Sequence, residues 1–144
     1  MFVKYPIKVA IVDDEPDVLE TLKDFVEEYE EYEPLAFPSA EELLKYLENS
    51  DVHIAMIDIN LVDMEGDELL EKLKGMSKGI SVVMMTGESR LIKLSACFFA
   101  GADDIVLKPF TKDDFMEVIN SRKRQLERWA KVLDSHLSKK AREH

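Results

Sequence analysis

Four short apolar runs in this chain end abruptly at polar residues that can take part in chemistry. The residues directly after these runs are Asp13 and Asp14, Asp58, Thr86 and Gly87, and Lys108. An aspartate that ends a segment destined for a core is either a stray surface charge or a carboxylate held at the edge of that core. If the runs are parallel strands, their carboxyl ends meet at one edge of the sheet, where ligands bind. We therefore expect these side chains to lie together.

The residue types indicate phosphoryl transfer. Three crowded carboxylates repel one another, so either one takes up a proton or a cation neutralises the group. Oxygen ligands of this kind suit Mg²⁺, which binds one or two carboxylates together with phosphate oxygens. Lys108 offers a compact positive charge and Thr86 a hydroxyl donor, and both can stabilise phosphate oxygens. One carboxylate is then left as the nucleophile that forms an aspartyl phosphate.

Each of these residues, taken alone, has a simpler interpretation. Asp13 and Asp14 could cap a helix, because Asp is a favoured N-cap residue. Thr86 could be an ordinary strand-end hydroxyl, and Lys108 an ordinary surface lysine. We favour a site because four separate strand ends bring these residues to one edge.

The elements that must position these residues alternate along the chain. Apolar runs with many β-branched residues predict strands at 7–12, 54–57, 80–85 and 105–107, with a weaker strand at 34–37. Their nearly continuous apolar character is typical of parallel strands covered on both faces. Helical spacing predicts helices at 17–29, 39–47, 67–73, 89–100 and from 111 onward, with capping boxes at 39–42 and 111–114. This order predicts an α/β fold with a doubly wound parallel sheet.

The last predicted helix is longer than the sheet requires. No Gly or Pro interrupts residues 111–140, and Ile119, Leu126 and Leu133 recur at a spacing of seven. This is a weak heptad pattern, too short to establish a coiled coil. Trp129 on such an overhanging helix either meets a partner surface or folds back onto the domain body, and the sequence leaves both interpretations open.

Composition limits the remaining possibilities. The 144 residues suit one domain, and the single Cys97 excludes disulfides and cysteine-based metal sites. Residues 1–119 carry 27 acidic and 11 basic side chains, and residues 120–144 carry 3 and 8, so the net charges are −16 and +5. An acidic body disfavours binding to nucleic acid or to a membrane surface. With neither a signal peptide nor a membrane span in the sequence, we expect a cytoplasmic protein.

The ordered set of motifs resembles the receiver domains of bacterial two-component response regulators, including the chemotaxis regulators. The resemblance covers about residues 7–121 and rests on IVDDE (11–15), IDINLVDMEGDEL (57–69), MMTGE (84–88) and GADDIVLKPF (101–110). It implies a flavodoxin-like sheet of five parallel strands in the order 2-1-3-4-5. It also implies a receiver (phosphoacceptor) domain at 1–121. The long last helix then leaves a helical extension at 122–144, which could serve as a linker or a dimerisation helix.

The resemblance also implies a role for each site residue. Asp58 is the phosphoacceptor, and the ligands of Mg²⁺ or Mn²⁺ are Asp13, Asp14, Asp58 and the backbone carbonyl of Asn60. Thr86 is the switch hydroxyl beside Gly87, and Lys108 pairs with the phosphate before a cis Lys108–Pro109 bond. Asn60 and Glu88 influence how fast the phosphoryl group is hydrolysed, and with small Gly87 they leave room for water, so we expect a short lifetime.

The resemblance also implies a phosphoryl donor, and the sequence pattern adds further expectations about partners. The phosphoryl donor would be a histidine kinase or a histidine phosphotransfer protein, and the long helix could pair two copies of the chain. Beyond self-phosphorylation from small donors and self-dephosphorylation, we expect no enzymatic activity. We expect no direct binding to nucleic acid and none to a membrane.

Two positions depart from the family pattern. Val62 replaces the usual proline four residues after the acceptor, which predicts a less rigid loop. Ile105 replaces the usual Tyr or Phe three residues before the lysine. A smaller side chain there predicts that signalling relies more on the 87–91 loop and the helix after it.

The sequence leaves two other functions open. A Mg²⁺-dependent phosphatase of the aspartyl-nucleophile class would carry D-x-D-x-T after its first strand, whereas this chain has DDEPD there. A receiver-like module that is never phosphorylated is weakened by the intact acidic set and slightly favoured by Ile105.

Overall fold

The computed structural model describes residues 3–87 and 90–142, in which five strands alternate with five helices. The strands are β1 (Ile7–Val12), β2 (Tyr32–Phe37), β3 (Ile54–Asp58), β4 (Ser81–Thr86) and β5 (Asp104–Leu107). The helices are α1 (Pro16–Glu27), α2 (Ala40–Tyr46), α3 (Gly66–Gly75), α4 (Leu91–Phe99) and α5 (Lys112–Arg142).

The strands form one sheet in the order β2-β1-β3-β4-β5, and every pairing is parallel. This confirms the predicted doubly wound architecture, including the strand order. The register pairs Val12 with Ile57 and Asp58 with Met85, so the ends of β1, β3 and β4 lie side by side. The residues that follow these strands therefore share one edge of the sheet.

Buried side chains form two core clusters, one on each face of the sheet. On one face, Ala55 and Ile57 of β3 pack in the same cluster as Leu69 of α3. On the other face, Met56 packs in the same cluster as Phe115 of α5. Because both faces are covered, β3 has no solvent side, and this explains its continuous apolar sequence.

Local hydrogen bonds define the helix ends. The Oγ of Ser39 accepts a hydrogen bond from the backbone N–H of Glu42 (3.2 Å) and so caps α2. At the start of α5, the N–H of Asp114 donates to Thr111 Oγ1 (3.1 Å) and the N–H of Thr111 donates to Asp114 Oδ2 (3.1 Å). These bonds place N-caps at the residues that the sequence predicts.

Several predicted boundaries were wrong by a few residues. The strand β2 begins at Tyr32 rather than at residue 34, because the whole edge segment pairs with β1 from Ile7 onward. The helix α3 begins one residue earlier than predicted, at Gly66, and continues to Gly75. The helix α4 begins at Leu91, and predicted position 89 lies outside the described residues.

The helix α5 is 31 residues long, or about 46 Å at the standard rise per residue. Its first half packs on the domain body through Phe115 and Ile119, and burial continues to Ala130. Trp129 is 59% exposed, yet it lines cavities together with Ile80 and Val3 of the domain body, so the structure is compatible with both interpretations of this side chain. Among the residues described, none of the helices is both long and apolar enough to cross a membrane.

Candidate functional site

Three carboxylates meet at the carboxyl edge of the sheet. Asp13 and Asp14 follow β1, and Asp58 is the last residue of β3, which pairs directly with β1. Each residue offers a carboxylate oxygen, and these oxygens all lie within 4.8 Å of one another. Asp13 and Asp58 are buried and Asp14 is partly buried. The structure thus brings together the acidic residues that the sequence places at separate strand ends.

Asp13 carries the least solvated of these charges. Its Oδ1 accepts a hydrogen bond from the N–H of Glu15 (2.9 Å), whereas its Oδ2 is buried without a hydrogen-bond partner among the described residues. The pKa of Asp13 is raised to about 6, mainly by burial; the Glu15 N–H opposes this rise and the nearby Asp58 charge adds to it. A buried oxygen with no donor, beside two other carboxylates, fits an oxygen-preferring divalent cation such as Mg²⁺.

The simpler interpretation of the two N-terminal aspartates as helix caps is wrong. The N-cap of α1 is Glu15, whose side chain makes no capping hydrogen bond, and Pro16 begins the helix. Proline is favoured at this first position because its missing N–H would have no partner there. The carboxylates of Asp13 and Asp14 are therefore not needed to start the helix.

Both oxygens of Asp58 have partners. The N–H of Asn60 donates to Oδ1 (2.9 Å), and the ammonium of Lys108 lies 3.1 Å from Oδ2. The same ammonium lies 3.9 Å from Oδ2 of Asp13. Lys108 follows β5, its N–H donates to the carbonyl of Thr86 (2.8 Å), and the bond between Lys108 and Pro109 is cis, as the sequence predicts.

Thr86 and Gly87 complete the edge. Thr86 is the fully buried last residue of β4, and the preceding residue, Met85, pairs with Asp58. Gly87 is exposed, and a Cβ atom added there would lie 3.8 Å from the Cβ of Lys108, which is an ordinary contact. Glu88, which the sequence predicts to influence hydrolysis, lies outside the described residues.

The loop after Asp58 returns tightly onto its own strand. Asn60 and Glu65 form an antiparallel bridge, and the N–H of Gly66 donates to the carbonyl of Ile59 (2.9 Å). A Cβ atom at Gly66 would lie 2.6 Å from the Cα of Ile59 and 2.8 Å from the carbonyl oxygen of Asp58. Only glycine fits this close approach of the two backbone segments, a requirement that no pattern in the sequence indicates.

Two further contacts of this loop could not be predicted from the sequence. The carboxylate of Asp63 accepts hydrogen bonds from the backbone N–H groups of Ala40 (3.2 Å) and Glu41 (3.0 Å), at the start of α2. Glu65 pairs with Lys93 of α4 at 2.6 Å. Each contact joins residues more than 20 positions apart, so no local sequence pattern indicates it.

The position that departs from the family pattern lies on an apolar surface. Ile105 in β5 is 38% exposed, and its neighbour Leu107 is also exposed. The outer face of α4 adds further exposed apolar side chains, which are Leu91, Ile92, Phe98 and Phe99. Exposed apolar side chains grouped in this way are typical of surfaces that bind a partner.

Comparison with known proteins identifies the family. The family described as the response regulator receiver domain matches residues 9–120. A solved receiver domain protein (CheY-like) from Methanospirillum hungatei is 35% identical with a TM-score of 0.80, and the match covers 85% of this chain and 97% of that one.

Curated relatives agree with this match. The heme response regulator HssR of Staphylococcus saprophyticus is 38% identical over 106 residues, which is 74% of this chain and 46% of that protein. HssR of Staphylococcus aureus is 35% identical over 104 residues, with 72% and 46% covered. The chain therefore spans just under half the length of these relatives. From its motifs, its fold and these matches, the chain belongs to the receiver domain family of two-component response regulators.

Proposed function

We propose that this chain accepts a phosphoryl group on Asp58 from a histidine kinase or a histidine phosphotransfer protein, in a Mg²⁺-dependent reaction. The observation that carries the proposal is the position of the Asp58 carboxylate, which lies beside two other carboxylates and 3.1 Å from the Lys108 ammonium. A nucleophile that lies beside both a cation site and a fixed positive charge suits attack on an anionic phosphoryl group.

The cation would be held by the carboxylates of Asp13, Asp14 and Asp58 and by the backbone carbonyl of Asn60. When bound, Mg²⁺ supplies positive charge that offsets the carboxylates and the oxygens of the incoming phosphoryl group. Mn²⁺ also prefers oxygen ligands and can replace it. The Oδ2 of Asp13 supports this assignment, because it is buried, accepts no hydrogen bond among the described residues and has the Lys108 ammonium only at 3.9 Å. Such an oxygen is costly to bury unless a cation satisfies it.

In the transfer, an oxygen of Asp58 attacks the phosphorus of a phosphohistidine. The O–P bond forms as the P–N bond breaks, and the imidazole keeps the electron pair of that bond. Lys108, which pairs with Asp58 Oδ2 at 3.1 Å, then pairs with a phosphoryl oxygen. The hydroxyl of Thr86 donates a hydrogen bond to a second phosphoryl oxygen, and Gly87 leaves room beside this oxygen. Attack by water on the phosphorus reverses the modification, at a rate that Asn60 and Glu88 influence.

The phosphoryl group would change the loop at 87–91 and the surface formed by α4, β5 and the start of α5. Ile105 is smaller than an aromatic residue, so we infer that movement of the loop and α4 contributes more than rotation of this side chain. A partner that binds the exposed apolar residues of α4 would respond to such a movement.

The chain divides, on this proposal, into a receiver domain at 1–121 and a helical extension at 122–144 that pairs with a second copy. The stripe of partly buried Leu126 and buried Ala130 continues along α5 as Leu133 and Leu137, which are exposed. The positions 126, 130, 133 and 137 are spaced by four, three and four residues, as in a coiled-coil seam. We also propose that the protein is cytoplasmic and binds neither nucleic acid nor membrane. The acidic charge of residues 1–119 is consistent with this proposal.

Incubation with acetyl phosphate and Mg²⁺, followed by intact mass measurement, tests the proposal. The wild-type chain should gain one phosphoryl group, and Asp58→Asn, which keeps the size of the side chain but not its nucleophile, should gain none. A chain that gains no mass, or an Asp58→Asn variant that gains as much as wild type, would overturn it.

A further inference from the structure

The carboxylate of Asp63 connects the loop that follows Asp58 to a different helix. It accepts hydrogen bonds from the backbone N–H groups of Ala40 (3.2 Å) and Glu41 (3.0 Å). These are the first two residues of α2, where N–H groups have no partner within the helix. A carboxylate at this end of a helix is also favoured by the helix dipole. Asp63 therefore makes a specific hydrogen-bonded contact with the start of α2.

The helix α2 is a firm attachment point. Its own Ser39 caps the next N–H, that of Glu42, so Asp63 and Ser39 together satisfy successive donors at the same helix end. Leu43 and Leu47 on this segment are buried in the core. A loop bonded to the start of α2 is thus held to a part of the molecule that core packing keeps in place.

Core packing restrains only part of the loop. Its ends are held by the N–H of Asn60 on Asp58 and by the N–H of Gly66 on the carbonyl of Ile59. Between them Leu61 is buried in the core and Met64 packs against it, whereas Val62 is 88% exposed and adds no core packing. The sequence predicts a less rigid loop here because Val62 replaces a proline, and Asp63, the next residue, restrains the backbone by another means.

We propose that Asp63 is a positioning residue for the metal and phosphoryl site. Its bonds to α2 hold the loop so that the backbone of Asn60 keeps its place beside Asp58. The N–H of Asn60 then stays on Asp58 Oδ1, and its carbonyl stays available to the cation. This inference rests on the proposed function only for the role of the cation, because the restraint on the loop exists without it.

The test compares Asp63→Ala, which loses both hydrogen bonds, with Ser39→Ala, which weakens the same end of α2 without touching the loop. Asp63→Asn keeps one acceptor oxygen and serves as the conservative variant. Amide hydrogen exchange at Asn60 and Gly66 is measured first in protein free of metal. The affinity for Mg²⁺ alone is then measured from the shift of the Asn60 amide resonance.

In Asp63→Ala, exchange at Asn60 and Gly66 should become several-fold faster, and the affinity for Mg²⁺ should fall about tenfold, as for other residues that orient metal ligands. For Asp63→Asn, both the exchange rates and the affinity for Mg²⁺ should lie between those of Asp63→Ala and those of wild type. Ser39→Ala should leave both quantities near wild type, although it also lowers stability. Equal changes in Ser39→Ala and Asp63→Ala, or no change in either, would overturn the proposal.

Neither measurement depends on phosphoryl transfer. If wild type binds Mg²⁺ but is never phosphorylated, the proposed function fails while the role of Asp63 is still decided. If wild type is phosphorylated but Asp63→Ala behaves like wild type in both measurements, the positioning role fails and the function stands.

Discussion

The ammonium of Lys108 lies 3.1 Å from Oδ2 of Asp58, although the two residues are 50 positions apart in the chain. Lys108 is at the same time 3.9 Å from the buried Oδ2 of Asp13. One lysine thus offsets two of the three carboxylates before any phosphoryl group arrives. On the proposed function, the same ammonium would pair with a phosphoryl oxygen once Asp58 is phosphorylated.

Replacing this lysine should slow phosphorylation. In Lys108→Ala the positive charge that stabilises the phosphoryl oxygens is lost, and we expect the rate with acetyl phosphate to fall by roughly tenfold to a hundredfold. The rate is followed by intact mass over time. Lys112→Ala is the matched control, because Lys112 forms an ion pair with Glu28 outside the site. Equal rates in the two variants would contradict the role of Lys108.

Stability without metal should depend on pH through Asp13. Its pKa is raised by burial from an ordinary value of 3.8 to about 6, so the folded state binds this proton more tightly than the unfolded chain. The resulting contribution to stability is fully present below pH 3.8 and is lost as the pH rises through about 6. The free energy of unfolding of wild type, compared with that of Asp13→Asn, should therefore decrease between pH 4 and pH 7.

Mg²⁺ should counteract this loss. The cation competes with the proton for the same carboxylates, so it should raise the unfolding midpoint of wild type more at pH 8 than at pH 5. Asp13→Asn should show a smaller response to Mg²⁺ at both pH values. An equal response in wild type and variant would mean that the cation binds elsewhere.

Gly66 should be sensitive to substitution, and Gly75 should not. A Cβ at Gly66 would lie 2.6 Å from the Cα of Ile59, and relief of this contact requires backbone movement. We expect Gly66→Ala to lower the free energy of unfolding by about 1–3 kcal/mol. At Gly75, in the same helix, an added Cβ meets nothing within 4 Å.

Gly75→Ala is therefore the control for the general effect of adding a methyl group to α3. It should raise the free energy of unfolding by about 0.4–1 kcal/mol, because it restricts the unfolded chain. Denaturant unfolding of both variants decides the point. A Gly66→Ala variant as stable as Gly75→Ala would show that the loop can move away from β3 at no cost.

The extension of α5 should pair two copies of the chain. Leu137 is 55% exposed on the stripe that begins with buried Ala130, and Leu137→Glu would place a charge in the proposed seam. We expect wild type to sediment as a dimer and this variant as a monomer with unchanged unfolding of the domain. Lys131→Glu, on the other side of the helix, is the control for the added negative charge. A monomeric wild type at high concentration would remove the proposed dimer.

The sheet and the acidic cluster could be predicted from the sequence because their signals are local. A continuous apolar run identifies each central strand, and the residue after it, such as Asp58, occupies the functional edge. The start of β2 could not be predicted, because Tyr32 and Glu33 lie on an edge strand whose extent depends on pairing with β1.

The contacts that restrain the loop after Asp58 could not be predicted either. Asp63 reads as an ordinary loop residue, and only the folded chain brings it to the start of α2. The ion pair between Glu65 and Lys93 likewise depends on how α3 and α4 are placed. The close approach of Gly66 to Ile59 is a matter of backbone distance, which a sequence pattern does not contain.

The identity of the phosphorylated residue tests the central claim most directly. The chain is incubated with acetyl phosphate and Mg²⁺ and then reduced with borohydride, which converts an aspartyl phosphate to homoserine, and its peptides are mapped by mass. We predict homoserine at position 58 and at neither Asp13 nor Asp14. Homoserine at position 13 or 14, or at no position in a folded chain that binds Mg²⁺, would contradict the account.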